Sequence, residues 1–264
     1  MNAPTGPAGF AAAMQDKGWW VARDAIAPGV LDAVCEQLAP ALARRDRIRA
    51  RNGVEGSNDG TLHHLLGDGP EFIDLLRTLE HFSAELDWFF EGKYILNSYG
   101  GVINEKDTAA YVHQVHRDIR FSSTARRFML NLLVMLDDFT PENGATWILS
   151  GSQGRAQKPE QAEFLAGAER ATGTRGSILF FDSRIWHAAG HNTTAAPRRA
   201  LTITLTSPFF KQQLDYPRLL GDDHEALREP FLRQLVGYNA RVPASLDDYY
   251  VPVARRHYQR GQDD

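Results

Sequence analysis

The sequence predicts a mainly β protein with flanking helices, and three patterns lead there. Apolar residues recur at helical spacing up to about residue 92. From there to residue 206 the period changes to two, in short runs punctuated by Gly100-Gly101, Asn143-Gly144, Gly151, Gly173 and Gly176. Helical spacing then returns over 230–236, closed by Gly237. Short strands between helical flanks imply a β-barrel or β-sandwich core braced by helices. The expected organisation is one domain over 1–264. It has a mainly helical part with a lid loop (1–92), a strand core (93–210) and a C-terminal helical extension (211–264).

Each element has its own signal. Residues 7–17 read as a helix stopped by Gly18, and 19–21 as a short apolar strand. Pro28 opens a second helix where proline is tolerated, with Leu31, Val34, Cys35 and Leu38 on one stripe. Pro40 is expected to break or kink it. Arg44, Arg45, Arg47, Arg49 and Arg51 follow, either as a solvated helix end or as a clamp for an anionic group. Residues 52–60 are rich in glycine and asparagine and read as a loop. Residues 71–90 read as one helix with Phe72, Leu75, Leu76, Leu79 and Phe82 on a face. Strands are expected over 94–99, 128–136, 146–149, 177–181 and 200–206. In the last, Thr202, Thr204 and Thr206 alternate with Leu201, Ile203 and Leu205, as a half-buried strand requires.

Composition narrows the class. The chain holds 29 Lys+Arg against 33 Asp+Glu, so no global basic field favours nucleic acid. Its single cysteine, Cys35, excludes an internal disulfide framework and a cysteine-built metal cluster, and suits a reducing cytoplasm. No apolar run has the ~18 residues of a membrane span, and the first residues do not pattern as a signal peptide. A cytoplasmic protein acting on a small molecule, with no nucleic-acid or membrane partner, is the expectation; oligomeric state stays open.

The chemistry lies in three places. His116-Arg117-Asp118 places an imidazole and a carboxylate two residues apart, on one face if the segment is a strand. His187, between an apolar strand and a small-residue turn, is the best third ligand. Two histidines and one carboxylate leave adjacent coordination positions open, which suits non-haem Fe(II) and oxygen; zinc is the chemical rival. His113, at odd spacing from His116, is expected to face away, and His63, His64 and His191 read as structural. Arg198, eleven residues after His187, starts the threonine strand. An antiparallel return past His187 would let it grip a carboxylate through two parallel hydrogen bonds, with Arg199 on the opposite face.

These residues carry a resemblance. The sequence resembles the phytanoyl-CoA dioxygenase family of Fe(II)/2-oxoglutarate-dependent oxygenases, over roughly residues 8–210. The matching stretches are His116-x-Asp118, the strand and turn from Asn143-Gly144 through Trp147 to Gly151-Ser152, and the segment from Gly176 to Leu201. Within that segment Asp182, Ser183, Trp186, His187, Gly190, Asn192 and Arg198 fall in register, and the N-terminal entry from Gly18 to Asp24 is also typical. Departures are Val115 where the family often has tryptophan, Ser150 and Gln153 around the Gly151-Ser152 turn, and Ala189 where some members carry serine.

The resemblance implies a double-stranded β-helix (jelly-roll, cupin-like) core, with Fe(II) on His116, Asp118 and His187 and 2-oxoglutarate on Arg198. A second donor to the 2-oxoglutarate carboxylate is then sought among Asn97, Asn131, Thr146 and Trp147. Related halogenases lack the carboxylate that Asp118 supplies. The implied activity is therefore O2-dependent hydroxylation of an unactivated C–H in an amino-acid derivative, natural-product intermediate or similar molecule, with succinate and CO2 as co-products. Desaturation, epimerisation or ring formation at the same centre is the alternative, and a non-catalytic jelly-roll ligand-binding protein is the alternative of another class. Residues 51–64 are expected to act as a lid. Convergence of Arg117, Arg120, Arg126 or Arg127 on the pocket would mark an anionic substrate.

Overall fold

The computed structural model describes residues 7–54, 60–106, 111–119 and 126–256. The centre of the expected lid (55–59) and Arg120 lie outside the described residues. Before the core come α1 (Pro7–Asp16), β1 (Trp19–Ala22), α2 (Pro28–Arg51), β2 (Thr61–Leu62), α3 (Pro70–Thr78) and α4 (Ser83–Phe90). The core follows as β3 (Ile95–Asn104), β4 (Met129–Met135), β5 (Thr146–Ile148), α5 (Gln161–Gly167), β6 (Glu169–Ala171), β7 (Ile178–Asp182), β8 (His187–Ala188) and β9 (Arg198–Thr206). It ends in α6 (Tyr216–Leu220), α7 (Pro230–Val236) and α8 (Leu246–Tyr249).

Two antiparallel sheets make the core, one ordered β1-β7-β4-β9-β3-β2 and the other β6-β5-β8. Strand alternation decides what each face meets. Leu130, Leu132 and Val134 of β4, Ile178 and Phe180 of β7, and Leu201, Ile203 and Leu205 of β9 join one apolar cluster with the helices. That cluster includes Phe10, Leu31, Val34, Phe72, Leu76 and Phe89. The intervening residues turn to the smaller sheet: Met135, Leu179, Phe181 and Ala200 pack with Ala145, Ile148 and Ala171. The helices thus cover the outer face of the large sheet, and the space between the sheets holds the polar positions Asn131, Thr202, Thr204 and Arg198. This is the expected mainly β, jelly-roll architecture.

Two helix expectations need correction. Helix α2 runs unbroken through Pro40. Proline inside a helix costs about 3 kcal/mol, but Leu31, Val34, Leu38 and Ala41 are all buried on one stripe, and that packing keeps the helix continuous across the missing hydrogen bond. The single helix expected over 71–90 is instead two, joined by a 3-10 turn at Leu79–Phe82. The Thr78 hydroxyl donates to Leu75 O and the Ser83 hydroxyl to Glu80 O, competing for backbone acceptors at the joint. The break lets α3 pack on α2 while α4 packs on α1.

Two arginines of the run at the end of α2, Arg44 and Arg45, form a structural tie. Arg44 donates to Gly67 O and pairs with Asp68. Arg45 pairs with Asp68 and donates to the carbonyls of His63 and His64. These bonds anchor the turn that follows β2, and with it Thr61, Leu62 and His63, which form part of a cavity wall.

Candidate metal centre

A cavity of about 770 Å³ opens between the sheets. It is within the ~300–1,000 Å³ typical of small-molecule sites. His116, Asp118 and His187 line it together with Arg198.

The first ligand segment departs from the expected strand. His116 makes a single antiparallel bridge with His187, each backbone N–H donating to the other's carbonyl at 2.9 Å. Asp118 lies in a bend, and its N–H donates to Ser183 O at 3.1 Å. The strand ends because pairing switches from residue 187 to residue 183 within two positions. The bridge alone suffices to set His116 beside His187, with ring centroids 4.3 Å apart.

One ligand atom from each of the three side chains lies within 4.8 Å of the others. His116 Nε2 is 3.6 Å from Asp118 Oδ1, and His187 Nε2 is 3.6 Å from Asp118 Oδ2. Both rings are oriented from behind. His116 Nδ1 sits 2.7 Å from Gln114 O, and His187 Nδ1 sits 3.1 Å from Ile185 O. A carbonyl only accepts, so each Nδ1 carries a proton and each Nε2 is the ring atom turned toward Asp118. Burial pushes the His187 imidazolium down in pKa, although Asp118 opposes that shift, and favours the neutral ring that a metal requires.

Asn131 ties the carboxylate to the sheet. Its amide donates to Asp118 Oδ2 at 2.6 Å and to Ser183 Oγ at 3.0 Å, while its carbonyl oxygen accepts from Thr204 Oγ1 at 2.9 Å. The NH2 end therefore holds Asp118, and the carbonyl end is anchored on Thr204. Asn131 also lines the cavity in which the sequence reading sought it as a donor to 2-oxoglutarate. The signal available in sequence was its isolation: Asn131 is the one polar residue in the run Met129–Met135. Ser183 had no assigned role, yet it meets both Asn131 and the Asp118 backbone.

Arg198 enters the cavity from β9 and is buried, at 3% exposure. Its Nη1 donates to Gly144 O, Phe139 lies 4.3 Å below the guanidinium, and Nε is buried without a hydrogen-bond partner. Burial lowers its pKa to about 10. The nearby Asp137 is committed to Arg199, which faces the other side of the strand as expected. A buried cation with an unused N–H is costly unless an anion meets it, and the donor set fits a ligand carboxylate. Gly144, whose carbonyl meets Arg198, is itself confined to glycine: it has φ +85°, and a Cβ there would stand 2.3 Å from Gly190 O.

The other expected cofactor contacts divide. Thr146 lines the cavity. Trp147, one residue on, belongs to the opposite face of β5 and lies against the Arg170 guanidinium at 3.7 Å. Asn97 is away from the cavity, its amide donating to Lys211 O, because β3 shifts register between Leu96 and Ser98. His113 lies beside His191, with ring centroids 4.3 Å apart, and outside the ligand set; it sits in a 3-10 turn, so strand alternation is not what turns it away.

A family model described as phytanoyl-CoA dioxygenase (PhyH) matches residues 14–200. The chain belongs to the phytanoyl-CoA dioxygenase family. An uncharacterized protein of Mycobacterium tuberculosis is 40% identical over 133 residues, covering 50% of this chain and 49% of that protein. The chain spans about half the length of the curated relatives it matches. Among solved structures, EctD from S. alaskensis with 2-oxoglutarate and 5-hydroxyectoine superposes with TM-score 0.62 at 16% identity, over 78% of this chain and 77% of that one. HygX from Streptomyces hygroscopicus, with nickel and 2-oxoglutarate bound, gives 0.59 at 15% identity, over 79% and 90%. These likenesses support the double-stranded β-helix fold.

Proposed function

We propose that this family member is an Fe(II)- and 2-oxoglutarate-dependent dioxygenase that hydroxylates an unactivated C–H of a small molecule, with succinate and CO2 as co-products. One observation carries the reading: a ligand set of two imidazoles and a carboxylate shares a cavity with a buried arginine whose Nε has no hydrogen-bond partner. His116, Asp118 and His187 would hold the metal, and Arg198 would hold the distal carboxylate of 2-oxoglutarate. Such a carboxylate matches the donors left on Arg198, and 2-oxoglutarate bound in the fold neighbours EctD and HygX is consistent with it. The bound iron supplies activation of O2 coupled to oxidative decarboxylation of 2-oxoglutarate.

The chain's own residues do the rest. The carbonyls of Gln114 and Ile185 keep both Nε2 atoms aimed at one point, and Asn131 holds Asp118 in place. Val115, Leu133 and Phe181 line the cavity and limit water near the metal position. Residues 1–264 work as one unit in this reading, with 93–210 as the core. No helix among the described residues is long and apolar enough to cross a membrane. The test is an anaerobic titration with Fe(II) and 2-oxoglutarate, followed by a substrate screen reading succinate and oxygenated product. Tight 2-oxoglutarate binding only in the presence of Fe(II) supports the reading. Metal-independent binding, or a stable preference for Zn(II) with no succinate formed from any substrate, would overturn it.

A further inference from the structure

Charge inside the cavity is unbalanced. Asp118 is the one carboxylate among the described lining residues, and Arg117, Lys158 and Arg198 are the cations. A divalent metal and the 2-oxoglutarate dianion cancel each other, so three cations would still face one carboxylate. Outside the cavity Arg170 also stacks, on Trp147, but several other arginines sit against acids: Arg155 on Glu163, Arg184 on Asp182 and Arg199 on Asp137. The two cavity arginines sit on aromatic faces instead, Arg198 on Phe139 and Arg117 on Trp186, whose ring centre is 5.1 Å from the guanidinium.

Arg117 has a particular station. It lies between His116 and Asp118 in sequence, and its platform, Trp186, immediately precedes His187. Trp186 is itself fixed, with its Nε1 donating to Arg155 O at 3.1 Å. The only polar contact of Arg117 among the described residues is a long 3.5 Å approach of Nη1 to the same carbonyl. Stacking leaves the edge of a guanidinium available for two parallel hydrogen bonds to an oxyanion. Lys158, exposed and also lining the cavity, has no acid within ion-pair distance among the described residues. Of the other arginines expected to converge here, Arg127 is occupied by Trp88 and Glu91, and Arg126 does not line the cavity.

We infer that the substrate carries an anionic group, a carboxylate or a phosphate, and that Arg117 on Trp186 binds it with Lys158 while the carbon to be oxidised faces the triad. The inference deepens the proposed function and rests on it for the placement of metal and 2-oxoglutarate. It makes Arg117 and Lys158 substrate-binding residues and assigns neither to the co-substrate.

The experiment is a calorimetric titration of the anaerobic protein, loaded with Fe(II) and 2-oxoglutarate, using three probes: hexanoate, hexyl phosphate and hexanamide. Preloading fills Arg198, so a probe cannot report on that residue. The wild type should bind at least one anionic probe roughly tenfold or more tightly than the neutral amide, as charge-assisted hydrogen bonds imply. Whichever anion wins separates a carboxylate substrate from a phosphate one. Arg117→Gln should remove most of that preference, and Lys158→Gln, on an exposed side chain that folding does not need, should reduce it about threefold, in line with a single solvent-screened contact. Equal binding of amide and both anions by the wild type overturns the inference, as does a preference that survives both substitutions. Failure to bind 2-oxoglutarate at the loading step is a separate result and counts against the proposed function instead.

Discussion

The two halves of the candidate centre are built differently. His187 and Arg198 stand on sheet strands and are buried, at 6% and 3% exposure. His116 and Asp118 stand on a short irregular segment held by one bridge and by the N–H groups of Asp118 and Ile119 donating to Ser183 O, and the Asp118 side chain is 35% exposed. The sheet half holds its geometry through ladder hydrogen bonds and apolar packing. The segment half depends on a few backbone bonds and on Asn131. The difference teaches that the fold itself positions one histidine and the arginine, whereas the carboxylate is positioned by a side-chain relay.

Removing a ligand from the sheet half should give the largest effect. His187→Ala is expected to abolish Fe(II) binding and 2-oxoglutarate-dependent succinate formation, while circular dichroism stays that of the folded protein. Retained metal affinity within about tenfold, the lower end of what supporting residues alone contribute, would sink the three-ligand assignment and leave the sheet half without its role.

Arg198→Ala comes next. A hydrogen bond to a charged group is worth roughly 1.5–3 kcal/mol, and about 1.4 kcal/mol is a factor of ten. The apparent Km for 2-oxoglutarate should rise about tenfold or more, with Fe(II) affinity nearly intact. If both constants moved together, Arg198 would be supporting the fold of the site and not gripping the co-substrate.

Asn131→Ala tests the relay. It deletes the donor to Asp118 Oδ2 and to Ser183 Oγ together. Loss of groups that orient a metal ligand typically costs 10–100-fold in affinity; about tenfold is expected here because the Asp118 backbone keeps its bond to Ser183 O. Anaerobic metal titration reads this directly. A rise in the 2-oxoglutarate Km without loss of metal affinity would return Asn131 to the donor role first sought for it.

The same contrast explains what was legible in the sequence. Alternation in β4, β7 and β9 was strong enough to assign strands. Arg198 does line the cavity, but not through an antiparallel return past His187: β9 belongs to the large sheet and β8 to the small one, so the two residues meet across the space between the sheets. The spacing of His116 and Asp118 was also readable, although the backbone between them is not a regular strand. What escaped depended on geometry without a periodic trace. Strands β2, β6 and β8 have two or three residues each, too few to show a period. The register shift in β3 diverted Asn97, and no residue pattern announces it. Trp147 was named beside Thr146, yet neighbours on a strand face opposite ways, so the alternation rule itself separates them. Pro40 misled because local propensity was overridden by a buried stripe on α2.

The smallest effect should come from Arg199, and its smallness is informative. Arg199 neighbours Arg198 on β9, so alternation sends its side chain away from the cavity. There Nε and Nη2 donate to the two oxygens of Asp137, at 3.0 and 2.6 Å. Both side chains are partly exposed, at 33% and 26%, and solvent-screened pairs are worth ~0–1 kcal/mol. The bidentate geometry and the added bond from the Arg199 backbone N–H to Asp137 put this pair toward the upper end of that range. Arg199→Ala should therefore lower stability by up to about 1 kcal/mol in urea unfolding. The Km for 2-oxoglutarate should stay within about twofold, since nothing that a cavity ligand touches has been removed. One consequence could still reach Arg198. Freed from Arg199, Asp137 could turn toward the buried guanidinium, whose pKa it already raises against the effect of burial. A Km increase that Asp137→Ala then reverses in the double variant would show that the Arg199 pair serves to keep a competing carboxylate off the co-substrate site. A Km unchanged in all three variants would leave the pair a strand-end brace, and the division between cavity face and outer face of β9 complete.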